Sequence, residues 1–252
     1  MSTPESLLPI CAPPRALPAI TVVFDFDGTL SWGDGPILSY AHHASAATSD
    51  PAGFLAQVTR SLQTPEIAID GYDLVRQLAT GAGVSEIQLA AAYRASRHEL
   101  ASAAAPISAP AEVRAFLDSL APHATLVLAT NAPETRLDAA LRELGLDGRF
   151  DAIHTDTNKP AGLEDVLDRW SSPKHPGGLL SIGDVWANDL EPAARRGSAT
   201  ALVGPHHQRV DISPTFRAET LPELYSPVLA WAQSHLSTDT PAPLTVSERS
   251  HP

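Results

Sequence analysis

Asp25 and Asp27 stand one residue apart in VVFDFDGTLS, at the end of an apolar run and just before a Gly28-Thr29 turn. Side chains alternate along a strand with a period of two, so both carboxylates are expected to face the same side. Close carboxylates raise each other's pKa unless a cation lies between them. The pair therefore calls for a positive charge. Further along, more polar residues follow apolar runs: Thr130-Asn131 in ATNA, Lys159 in TNKPAG, and Asp184 with Asp189 in GDVWANDLEPA. Each alone has a plainer reading. Thr130-Asn131 ahead of Pro133 suits a helix start, Lys159 suits a surface, Asp184 suits a turn, and Asp189 suits the N-cap of a helix over 190–196.

The elements that must position these residues are short. Apolar runs at Ile20–Phe26, Ala124–Thr130, Gly178–Gly183 and Ser198–Val203 read as buried parallel strands, with a weaker one at Phe150–His154. Amphipathic helices alternate with the later ones. In PETRLDAALRELG, Pro133 suits the first turn and Gly145 the stop; GLEDVLDRW and DLEPAARRG give two more. This alternation predicts an α/β fold, a doubly wound (Rossmann-like) parallel sheet. Ligands of such sheets bind outside the carboxyl ends of the strands, where all seven polar residues fall.

Residues 33–109 break the rhythm. They lack a convincing strand, and helices are predicted over 36–47, 52–62, 71–80 and from a Ser85 capping box to about Ala104. The predicted organisation is a flexible tail over 1–18, an α/β core from 19–32 and 110–235, an inserted all-helical cap over 33–109, and a disordered tail over 236–252.

The charge balance, 17 Lys+Arg against 29 Asp+Glu in 252 residues, argues against nucleic-acid backbones and anionic membranes. A single cysteine, Cys11, excludes an internal disulfide framework. With no long apolar run and no leader pattern, the sequence reads as soluble and cytoplasmic. His42-His43 and His206-His207 read as solvated surface, and Trp186 as either a pocket wall or a contact to the insertion.

In that order, DFDGTL, ATNA, NKPAG and GDVWANDLEPAARRG resemble the four motifs of the haloacid dehalogenase-like hydrolase superfamily, over about residues 20–232. The resemblance implies Mg²⁺ held by the side chains of Asp25 and Asp184 and the carbonyl of Asp27, with Asp189 in support. Mg²⁺ suits such oxygen donors. It further implies Asp25 as a nucleophile forming an aspartyl-phosphate, Asp27 as acid and base, Thr130 and Asn131 on the phosphoryl oxygens, and Lys159 on phosphate and nucleophile together. The second aspartate favours phosphate chemistry over dehalogenation, where no leaving group needs a proton. The absence of lysine in 31–109 disfavours the phosphonoacetaldehyde-type branch. A small phosphorylated metabolite is the expected substrate, of a monomer or homodimer. A sugar-phosphate mutase and a non-catalytic relic of the fold are the alternatives.

Overall fold

The computed structural model describes residues 17–63, 69–173, 175 and 177–237. Most of the expected N-terminal tail, with Cys11, and residues 238–252 lie outside the described residues. Six parallel strands form one sheet: β1 (Thr21–Phe24), β2 (Thr125–Ala129), β3 (Ala152–His154), β4 (Leu179–Gly183), β5 (Ala199–Leu202) and β6 (Phe216–Arg217). Their order is β3-β2-β1-β4-β5-β6, so the winding reverses between β1 and β4. That reversal opens a crevice at the carboxyl ends of the two strands.

Alternation along β1 explains the layers. Val22 and Phe24 point into one apolar cluster, with α5 (Val113–Leu120), α6 (Leu137–Glu143) and α9 (Tyr225–Ser237). Val23 points into the other, with α7 (Ala161–Trp170) and α8 (Glu191–Arg195). Burial on both faces is why these strands read as unbroken apolar runs.

Four helices sit between β1 and α5: α1 (Gly35–Ser45), α2 (Pro51–Leu62), α3 (Gly71–Gly81) and α4 (Glu86–Arg97). They close around an apolar cluster of their own, including Tyr40, Phe54, Val58, Val75 and Leu89. The Ser85–Gln88 capping box opens α4 as the sequence predicts. The helix ends at Arg97 rather than Ala104, and the chain beyond it turns through a left-handed Ala101. The two crossings between module and sheet are tied together: Trp32 N donates to Ser108 O at 2.8 Å, and Ser108 N to Trp32 O at 2.9 Å.

Two local expectations are corrected. Pro133 precedes α6 instead of opening it, since a left-handed Arg136 stands before Leu137 and its guanidinium donates to Leu100 O at 2.7 Å. The helix predicted over 190–196 begins earlier, as a single π-type turn at Trp186–Leu190 that runs into α8. No described helix is long and apolar enough to cross a membrane.

Candidate active site

β1 ends at Phe24, one residue short of the aspartates, yet Asp25 N still donates to Ile182 O at 2.9 Å. That bond carries the ladder one step further and fixes Asp25 at the mouth of the sheet. Beyond it the chain turns back on itself, with Gly28 N donating to Ser31 O at 2.9 Å. Asp25 and Asp27 both line a cavity of about 530 Å³ between the sheet edge and the helical module.

Lys159 organises the floor of this cavity. Its ammonium is buried and lies 2.5 Å from Asp25 Oδ1, 2.6 Å from Asp189 Oδ1 and 3.1 Å from Ala129 O. Burial works against this charge, but the two carboxylates outweigh it and hold the lysine above its ordinary range. Asn131 Oδ1 accepts from Lys159 N at 2.6 Å, which pins the loop carrying the lysine to the end of β2. Thr130 Oγ1 accepts from Ala132 N at 3.0 Å, leaving the hydroxyl proton to donate.

Asp25, Asp184 and Asp189 offer carboxylate oxygens that all lie within 4.8 Å of one another. Burial first, and then the charge of Asp25, pushes the Asp184 carboxyl well above the usual range. The same two causes, in the same order, raise Asp189 to about 6 against the pull of Lys159. Among the described residues no hydrogen bond reaches the Asp184 carboxylate, and Lys159 offsets its crowding only in part. Such an all-oxygen corner, with three carboxylates to one ammonium, fits a hard divalent cation. Asp189 has less to give, because Oδ1 is taken by Lys159 and Oδ2 accepts from Val185 N at 3.0 Å. That bond also shows that Asp189 does not cap the helix after it; it braces the turn from inside.

Asp27 stands apart from the trio. Its Oδ2 lies 3.6 Å from Arg97 Nη1, and burial raises its pKa while Arg97 opposes the rise. All seven residues marked in the sequence line the one cavity, then, with the Asp27 carboxylate turned toward the helical module.

Gly28 lets the turn after β1 approach the Asp184 carboxylate after β4. It has φ +84°, and a Cβ there would lie 2.2 Å from Asp184 Oδ2. Gly28→Ala is therefore expected to displace Asp184 and to cost roughly 1–3 kcal/mol from the left-handed backbone alone. Chemical denaturation should show the midpoint falling with the slope unchanged.

Several residues in and behind the cavity wall carry no signal in the sequence. Tyr40, Tyr72 and Tyr93 come from three helices and pack with ring centroids 5.7–6.2 Å apart. Thr29 donates its hydroxyl to Asp25 Oδ2 at 3.3 Å. Arg97 is legible only as sharing a helix face with Tyr93, four residues before it. Trp186 takes neither of its expected roles: it packs against Leu190, Leu202 and Ile212. His43 lies 3.2 Å from Glu99, and His207 Nδ1 lies 2.9 Å from Gly204 O. Neither histidine pair joins the carboxylate group.

The sequence model of the haloacid dehalogenase-like hydrolase family matches residues 21–197. No curated protein matches the chain. Among solved structures, similar folds include a HAD phosphatase from Thermococcus onnurineus (TM-score 0.54, 18% identity, 83% of this chain and 97% of that one). A second is the HAD-hydrolase candidate YfnB from Bacillus subtilis bound to magnesium (0.58, 19%, 84% and 99%). A third is L-2-haloacid dehalogenase from Xanthobacter autotrophicus (0.52, 18%, 82% and 97%). Identities this low carry the fold alone.

Proposed function

The chain belongs to the haloacid dehalogenase-like hydrolase family, and from that premise we propose that it is a Mg²⁺-dependent phosphatase of a small phosphomonoester. The observation that carries this reading is a division of labour between two aspartates lining one cavity. Asp25 is anchored to the sheet and to Lys159, while Asp27 stands free of the carboxylate trio and is able to handle a proton. A dehalogenase has no use for the second group, since halide leaves without a proton.

In the proposed reaction an Asp25 carboxylate oxygen attacks phosphorus and the ester P–O bond breaks, leaving an aspartyl-phosphate. Asp27 gives its proton to the departing oxygen, then takes one from the water that cleaves the acyl phosphate and releases inorganic phosphate. Thr130 and Asn131 orient the phosphoryl oxygens, and Lys159 neutralises charge on phosphate and nucleophile together. Mg²⁺, held by Asp25, Asp184 and the Asp27 carbonyl with Asp189 bracing, would supply further neutralisation of the phosphoryl group. A cavity of about 530 Å³ suits a small organic phosphate, and the α1–α4 module is its cap.

The test is hydrolysis of p-nitrophenyl phosphate. Turnover is expected with millimolar Mg²⁺, lost in EDTA and restored by added Mg²⁺. No turnover in either condition, or conversion of a sugar 1-phosphate to its 6-phosphate without phosphate release, would overturn the reading.

A further inference from the structure

Arg97 is among the largest fully buried side chains, 1% exposed, at the last turn of α4. Burying a guanidinium is costly unless it is paired and hydrogen-bonded. Here the pairing is sparse. Nη1 donates to the Tyr72 hydroxyl at 3.2 Å and lies 3.6 Å from Asp27 Oδ2, whereas Nε and Nη2 are buried with no partner among the described residues. Two idle donors leave the desolvation of this interior cation poorly offset within the helical module. Its anionic partner belongs to the other part of the molecule, at the mouth of β1.

We propose that Arg97 is a positioning residue for Asp27, an inference that rests on the phosphatase reading above. The guanidinium is a rigid planar fork, and the Tyr72 hydroxyl fixes one of its corners. It thereby holds a positive charge 3.6 Å from Asp27 Oδ2 and sets the direction of that carboxylate at the wall of the cavity that Asp27 lines. Because the fork rides on α4, the acid is aimed only when the module is seated on the sheet. Seating and aiming become one event, with the Trp32–Ser108 tie as the fixed side of the seam.

A positioning role has a signature that a structural role lacks. Proton donation matters most for a leaving group that departs badly without it. Two substrates therefore separate the cases: an alkyl phosphomonoester such as glycerol 2-phosphate, and p-nitrophenyl phosphate, whose phenolate leaves readily. Arg97→Lys keeps the charge and loses the fork; Tyr72→Phe keeps the ring and loses the hydroxyl that orients it. For each variant, kcat on the alkyl ester is expected to fall about tenfold or more beyond its fall on the aryl ester, a share of the ~10²–10⁴-fold that a placed acid supplies. If Arg97→Lys gives no cooperative melt, Tyr72→Phe carries the test. Equal losses on both esters, or no loss on either, would overturn the inference while leaving the phosphatase reading intact. Wild-type protein inert toward both would overturn the two together.

Discussion

Asp25→Asn is expected to lower kcat by at least ~10⁴-fold, or roughly 5.4 kcal/mol of transition-state stabilisation. The amide is nearly the same size as the carboxylate, so the change removes nucleophilicity and charge without opening a cavity. The fold is expected to survive it. Lys159 retains the Asp189 carboxylate and Ala129 O as partners, and the backbone bond from residue 25 to Ile182 O does not involve the side chain. One fewer negative charge among three crowded oxygens also relieves repulsion. Activity should therefore vanish while the melting temperature in EDTA stays equal or rises, a pattern seen where a site holds strain for function. A calorimetric scan beside the kinetic assay checks both halves. Retained turnover would remove Asp25 from the chemistry; a collapsed melt would mean that its role is structural.

What the sequence carries about this molecule follows from which forces act locally. The parallel strands are legible because a sheet buried on both faces needs unbroken apolar runs, as at Thr125–Ala129 and Leu179–Gly183. The seven polar residues are legible because a doubly wound sheet gathers the ends of its strands at one crevice. β6 is two residues long and has no room for a pattern. The α5 spacing of Val113, Phe116, Leu117 and Leu120 is present in the sequence, although α5 is not among the predicted helices. Arg136 and Arg97 are different. Each is set by a partner far along the chain, Leu100 O in one case and Asp27 in the other. No window of sequence contains both ends of such a contact, so the α6 start and the Arg97–Asp27 pair emerge only once the chain is folded.

Lys159→Met is expected to destabilise the metal-free protein by about 3–5 kcal/mol, the usual cost of removing one partner from a buried ion pair. The reason lies in the arithmetic of charge on the cavity floor. One ammonium lies against Asp25 and Asp189, and those two share the floor with Asp184. Methionine fills the volume but leaves three carboxylates facing one another. The sign of the pH dependence follows. Carboxyls whose folded pKa is raised, as in Asp184 and Asp189, bind more protons folded than unfolded, so stability falls as pH climbs above the unfolded value. Removing Lys159 takes away the charge that opposes this rise. The deficit of the variant should thus be largest near pH 7–8 and should shrink as the pH falls through about 6 and below. Mg²⁺ should also rescue it, because a cation bound only by the folded state adds roughly 2.7 kcal/mol at a hundred times its Kd. Thermal melts with EDTA and with Mg²⁺, each at pH 5 and pH 8, read all three effects. A deficit indifferent to both pH and Mg²⁺ would mean that Lys159 matters for packing, and that the three carboxylates neither crowd one another nor share a cation.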